Sequence, residues 1–436
     1  MIRRDWSVYS RSCYPIWGDL KFYRYIMRRT IPKWQKITSG ILVLVAIFFL
    51  VVPTYVREAL IHWYPDISDT YLFHSHTVNK ADSCWEWAKA ADYNLYQMTE
   101  EENAYLDKYG TVSFLVIQND SILYEEYRDG WTPETLSNIF SATKSIVGLL
   151  IGIAHDEGYI ESLDDKVSKY LPEFKEDDRD RITIRDLLTM SSGLNWDEAY
   201  TALFSKTTEA YYGDNIRGLV MGLKAVEEPG VRFSYKSGDT QLLSFVLEAA
   251  LSGKWKKDSL NSSVAEGKGQ AAGAGNRAGT TISDYARQKL WQPMGACTDA
   301  LWNLDKKDGD EKSYCCFNTT ARDVARFARL MLHRGNWNGR QLVSEDYMKE
   351  ATSPASYLKN EFDDGALDYY GFQIWVLNYK GMQFPYMRGL GGQYIYAIPE
   401  KNAIVVRLGH KKNDVPVREG TVDITDYLDI AFKILK

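Results

Sequence analysis

Ser141 and Lys144 stand three residues apart in "IFSATKSIVGLLIG", at the start of an otherwise apolar stretch. A lysine facing a core is unfavourable unless something there uses it. At a helix N-terminus two residues so spaced lie on one face, a turn apart, so hydroxyl and amine come within reach. That pairing suits a nucleophile and its base. A serine attacks poorly until its proton is taken, and a lysine takes it only if its pKa falls from about 10.4 toward neutrality. Lowering it that far corresponds to about 4 kcal/mol, which burial among apolar neighbours and a hydrogen-bond network can supply. The free N–H groups and positive end of the helix would help hold an oxyanion. Alone, Ser-x-x-Lys is a common chance pattern, and its bland reading is a core helix with a solvated lysine at its edge.

Two later stretches add to it. "PGVRFSYKSGDTQLL" offers the phenol of Tyr235 and the hydroxyl of Ser237 in a Gly/Pro-bounded loop before a helix. "MRGLGGQYIYAIPE" places Gly389, Gly391 and Gly392 at the mouth of a strand, where backbone approaches a substrate closely. Together with "FSATKS", "ITIRDLLTMSSGLNWDE" and "CCFNTTARDVARFARLML", in this order, the chain resembles the serine β-lactamase and penicillin-binding-protein superfamily from about Asp66 onward. The likeness is greatest to its class C and esterase-like branch, which includes 6-aminohexanoate-oligomer hydrolases.

The resemblance implies an α+β, β-lactamase/DD-peptidase-like fold and roles for particular residues. Ser141 matches the acylated nucleophile, Lys144 its general base and Tyr235 the tyrosine that relays a proton to the leaving group. The backbone N–H groups of Ser141 and Gly392 correspond to the oxyanion donors, with Gly391, Ser237 and Gln393 as substrate-binding neighbours. No cofactor or metal is implied. Two departures stand out: Ser237 replaces the usual asparagine, and Gly389-Leu390-Gly391 replaces Lys-Thr-Gly. The second removes a cation that would hold a β-lactam carboxylate, although Arg388 just upstream could restore some positive charge. An amide, ester or peptide-like substrate without that carboxylate is expected, and efficient β-lactam turnover is not.

The elements that must position these residues are also legible. "TVSFLVIQNDSILYEEY" alternates on both sides of a turn and reads as a β-hairpin. A helix from Ser141 should stop near Gly158. From there to about Leu332 the pattern is mostly helical, and strands return in "YYGFQIWVLN", "GGQYIYAIP" and "NAIVVRLGH" before the amphipathic "DITDYLDIAFKIL". This order predicts an antiparallel sheet built from both chain ends, flanked by helices, with a mostly helical region inserted. Gly253–Gly279, rich in Gly, Ala, Ser and Lys, reads as a flexible insertion between two helices.

Of the 436 residues, 45% are hydrophobic, enough for a substantial core. A net charge of −6 without a basic stripe in the later chain argues against nucleic acid. Five cysteines with no Cys-x-x-Cys spacing exclude a zinc site, and Cys315 and Cys316 read as small buried hydrophobes. His74 and His76 lack a third ligand and fall in the expected connector. Tyr211 and Tyr212 read as packing residues or as part of a loop over the site.

Residues 37–56 carry no charge and read as a membrane anchor. Nine basic residues precede it and only Arg57 closely follows, so residues 1–36 should be cytoplasmic and the rest outside. An uncleaved anchor fits better than a signal peptide, because no small-x-small cleavage pattern follows and the leader is long. Met27 would give a shorter basic leader and is an alternative start. Residues 57–110 are then a connector and the beginning of the catalytic domain, and 111–436 its body. The competing function is a catalytically degenerate, membrane-tethered module that recognises cell-wall peptide, or a carboxylesterase or D-alanyl peptidase of the same fold. Retention of Ser141, Lys144 and Tyr235 favours catalysis.

Overall fold

A computed structural model describes residues 32–175, 177–262, 280–418 and 420–436. The basic segment through residue 31, with Cys13 and Met27, lies outside the described residues, as does 263–279 of the glycine-rich stretch. The chain divides into Met1–Pro53 and Thr54–Lys436. In the first unit, α1 (Lys33–Val51) is a 19-residue helix with no buried residue, long and apolar enough to cross a bilayer. Pro53 disfavours helical geometry at Val52 and ends it. The chain then restarts as α2 (Thr54–His62), whose Val56 and Ala59 are buried in the second unit. The expected span of 37–56 is therefore shifted, and residues 54–56 belong to the globular unit.

That unit contains the predicted sheet built from both chain ends, antiparallel except where the edge strand Ala88–Lys89 runs parallel to Ser121–Tyr127. In chain order the strands of its two larger sheets are β1 (Ser75–Val78), β2 (Ala88–Lys89), β3 (Thr111–Gln118), β4 (Ser121–Tyr127), β5 (Ser137–Asn138), β6 (Ala300–Asn303), β7 (Phe317–Thr319), β8 (Trp375–Tyr379), β9 (Met382–Gly389), β10 (Gln393–Ile398) and β11 (Ala403–Gly409). A seven-stranded sheet runs β8-β9-β10-β11-β3-β4-β2, so C-terminal strands pair with the N-terminal hairpin. Asn119 and Asp120 turn that hairpin with positive φ, a conformation that Asn and Asp tolerate. Alternation along β3 sends Leu115 and Ile117 to one face and Phe114 and Val116 to the other; both faces are covered, so every residue of β3 is buried.

The helix α3 (Thr143–Asp156) is buried from Thr143 to Ala154, which explains its unbroken apolarity. Gly158, with φ +71°, follows it as predicted. The region from Gly158 to Leu332 is less helical than expected: β6 and β7 join β1 and β5 in a second sheet ordered β1-β6-β7-β5. These strands are four and three residues long, too short for a period-two signal. β1 contains His76, so this segment is part of the globular unit rather than a connector. The helix α5 (Ser237–Ser262) also continues well past Gly253, where the flexible insertion was expected to begin; α4 (Lys206–Tyr212) precedes it and α6 (Ala321–Leu332) follows it.

Cys315 and Cys316 are buried as expected, but bonded to each other. Cys84 and Cys297 form a second disulfide across 213 residues. A cross-link of that span stabilises by at most about 5 kcal/mol in the chain-entropy view. The double variant Cys84→Ser/Cys297→Ser is expected to lower the urea midpoint measurably without altering the fold, and an unchanged midpoint would show that the bridge is energetically idle.

Candidate active site

The small sheet delivers the nucleophile. Ile139 follows β5 and donates its N–H to Phe317 O of β7 at 3.0 Å, and a single 3₁₀ turn, Phe140–Ala142, leads into α3. Phe140 sits at φ 45°, an uncommon conformation for a bulky residue, and its N–H is held by Asn138 Oδ1 at 2.9 Å. Non-glycine backbone in this region cluster at functional sites.

Lys144 Nζ lies 2.8 Å from both Ser141 Oγ and the Tyr314 carbonyl. Its side chain is 1% exposed, and burial lowers its pKa to about 8, with Glu198 acting in the opposite direction. The amine also lies 5.1 Å from the centre of the Tyr235 ring. The hydroxyls of Tyr235 and Tyr200 both interact with Ser141. Burial, and then Glu198, raise the pKa of each phenol, so both keep their protons at neutral pH. A neutral Lys144 that gives one N–H to the Tyr314 carbonyl has its lone pair available for the Ser141 proton. The arrangement supports proton removal by Lys144 and proton donation by a phenol.

Ser237, at the start of α5, lines the first cavity together with Ser141, and its hydroxyl proton is committed to Glu198. It donates Oγ to Glu198 Oε1 at 2.6 Å and its N–H to Oε2 at 2.8 Å. Glu198 also accepts from Trp196 Nε1 at 2.6 Å and from the Tyr200 hydroxyl at 2.5 Å. Sequence reasoning missed Glu198 and Tyr200 as site residues, although Glu198 closes the quoted "GLNWDE". Glu198 positions its neighbours, and Glu198→Gln is expected to lower kcat/KM about a hundredfold by loosening them. Because the lost carboxylate favoured the charged amine, the rise of the pH–rate profile should also move to lower pH. An unmoved profile would leave Glu198 with a packing role only.

Two cavities, of about 250 and 240 Å³, meet at Ser141. The first is mainly apolar, with walls that include α2, α4, Tyr314 and Cys315. Tyr211 and Tyr212 of α4 line it, so they are on a helix rather than a loop. The second holds Tyr235, Glu198, Glu361, Arg388 and Lys412. Arg388 and Lys412 thus provide cations where their loss with Lys-Thr-Gly was expected.

The glycines require a correction. Gly389 packs against the nucleophile's turn, where a Cβ would lie 2.2 Å from Ile139 O, and Leu390 lines both cavities. Gly391 and Gly392, both with positive φ, form the turn from β9 to β10 and line neither. The Gly392 N–H is given to Gly389 O at 3.2 Å, and Gln393 clamps the turn through Leu390 O and Gly409 O, each at 2.7 Å. The register expected from the sequence was too far along because the turn is short. His76 Nδ1 lies 2.8 Å from the buried Glu311 Oε1, and no group of three or more His, Cys, Asp or Glu side chains among the described residues is arranged to hold a metal.

Residues 100–427 match the Beta-lactamase family. The 6-aminohexanoate-dimer hydrolase of Paenarthrobacter ureafaciens is 24% identical over 326 residues, spanning 70% of this chain and 73% of that protein. A Bacillus anthracis structure named as a candidate 6-aminohexanoate-dimer hydrolase superposes with a TM-score of 0.65 at 19% identity, covering 84% of this chain and 91% of its own. A family VIII carboxylesterase superposes at 0.51 and 15% identity, covering 80% and 99%. The chain belongs to the beta-lactamase family and is a serine hydrolase.

Proposed function

We propose that the protein is a membrane-anchored hydrolase that cleaves an amide or ester through an acyl-enzyme on Ser141. The observation that carries this reading is a fully buried amine 2.8 Å from the Ser141 hydroxyl, with a pKa of about 8 and two uncharged hydrogen-bond partners. Lys144 takes the Ser141 proton as Oγ attacks the carbonyl. The backbone N–H groups of Ser141 and Leu390 stabilise the oxyanion, with Leu390 replacing Gly392 in that role. Tyr235 protonates the leaving group, and water then hydrolyses the acyl-enzyme, so no cofactor enters the scheme.

The 19-residue apolar helix and the basic residues before it support an anchor with the N-terminus inside and the catalytic unit outside the cytoplasm. The Cys84–Cys297 disulfide fits an oxidising compartment. Intact-mass spectrometry after exposure to a fluorophosphonate, a penicillin and a linear 6-aminohexanoate dimer tests the chemistry. The expected result is a fluorophosphonate adduct that disappears in Ser141→Ala, with the dimer cleaved and no lasting penicillin adduct. Stable acylation by penicillin would instead indicate a penicillin-binding protein. Folded protein that no probe labels would indicate a recognition module.

A further inference from the structure

We infer that the first cavity receives the acyl chain of an amphiphile drawn from the bilayer, making the substrate class long-chain acyl esters or amides held in a membrane. This rests on the reading of Ser141 as nucleophile and α1 as anchor.

Three observations converge. The cavity opens directly on Ser141, and the surfaces around it are mostly carbon, contributed by residues such as Ala59, Leu203, Tyr211 and Leu390. The second cavity is about equally polar and apolar, far more polar than the first, and contains Glu198, Arg388, Lys412 and Tyr235, the group that would protonate a leaving group. The acyl portion of a substrate therefore belongs in the apolar cavity and the head portion in the polar one.

The second observation is the identity of the apolar wall. Ala59, Trp63, Tyr64 and Pro65 come from α2 and the residues just after it. Tyr212 of α4 stacks on His62, with ring centres 6.3 Å apart, and directs its hydroxyl to Trp63 O at 3.5 Å. In the chain, only Val52 and Pro53 separate α2 from the membrane-spanning candidate α1. The binding wall is therefore the first element built after the anchor.

The third is exposure. Trp63 is 77%, Ile61 64% and Phe204 69% exposed, although all are large and apolar. Trp63 lines the cavity, Ile61 is two residues before it, and Phe204 follows Leu203 of the cavity wall. Large apolar side chains left exposed on the cavity wall or next to it in sequence, a few residues along the chain from the anchor candidate, match the composition that settles at a bilayer interface.

In the reaction, Ser141 Oγ bonds to the acyl carbon as its bond to the head-group oxygen or nitrogen breaks. The head group departs with a proton from Tyr235, which regains one from the Lys144 ammonium that had taken the Ser141 proton; water then cleaves the acyl–serine ester, releasing the fatty acid and restoring the serine hydroxyl.

The test uses the full chain in phosphatidylcholine vesicles with p-nitrophenyl acetate, butyrate, octanoate and palmitate. The expected result is a kcat/KM that rises from acetate through octanoate, by up to about fourfold per methylene buried (about 0.8 kcal/mol each). Palmitate held in the vesicles should also be hydrolysed. In Ile61→Ser/Phe204→Ser, turnover of vesicle-held palmitate should fall relative to dissolved butyrate, and Ala59→Trp should shift the preferred chain to a shorter length. If acetate is cleaved but the profile is flat or falls beyond butyrate, the inference is overturned and the hydrolase stands. It is also overturned if the rim variant, shown to be folded, leaves the palmitate-to-butyrate ratio unchanged. No ester cleaved and no fluorophosphonate adduct on Ser141 would overturn the hydrolase reading itself.

Discussion

Lys144→Ala is expected to lower kcat by about 10³- to 10⁴-fold, the range associated with loss of a positioned general base. The lysine occupies the one place where an amine meets the Ser141 hydroxyl, and the Tyr314 carbonyl fixes its orientation. Only the neutral amine accepts the proton. With the pKa lowered to about 8, kcat/KM should rise with pH and level off above that value. Two units below it, the rate should be about a hundredfold lower, since about one lysine in a hundred is neutral there.

The same burial makes a stability prediction. The folded pKa is below the unfolded one, so between about 8 and 10.5 the unfolded chain binds more protons and stability rises with pH. Below that window a charged, buried amine opposes folding by about 3 kcal/mol. Lys144→Met, of similar length, should therefore melt no lower than wild type at pH 7 while losing turnover. Near-normal turnover in either variant would remove Lys144 from the mechanism.

Tyr235→Phe is the second large effect, an expected loss of about 10²- to 10⁴-fold in kcat on amides. The ring packs against Trp375 and Tyr370, with centres 5.3 and 6.2 Å away, and phenylalanine preserves those contacts. Only the hydroxyl that interacts with Ser141 is lost. An amine must be protonated to leave, whereas p-nitrophenolate departs readily as an anion. The loss should therefore be much larger for an amide than for a p-nitrophenyl ester. Equal losses on both would assign the phenol to orienting Ser141 rather than to the leaving group.

Local pattern made the pairing of Ser141 with Lys144, the hairpin and the late strands legible, because each depends on residues close in sequence, and the family resemblance pointed to Tyr235. What was not legible depends on distance. Glu198 acts on Ser237, 39 residues away, and the Cys84–Cys297 bridge joins positions 213 apart. The glycine motif was misplaced because residues 390–392 form a three-residue connection between β9 and β10, and counting glycines does not give the length of a turn. Arg388 is in the right stretch, but only the pairing of β9 with β10 and the position of Gly389 against Ile139 bring it to the cavity. The second sheet escaped detection because two of its strands are only two to three residues long.

The place of α2 in the cavity wall gives a cut beside it, if α1 is the proposed anchor, two different outcomes. A protease that cut at Val52–Pro53 would release a particle with its whole binding wall and an intact catalytic unit. A cut a dozen residues later, after Tyr64, would detach α2, uncover the side of α4 against which it packs and open the apolar cavity to water. Whether a shed form is a working enzyme or a damaged one thus depends on which side of a nine-residue helix is cleaved.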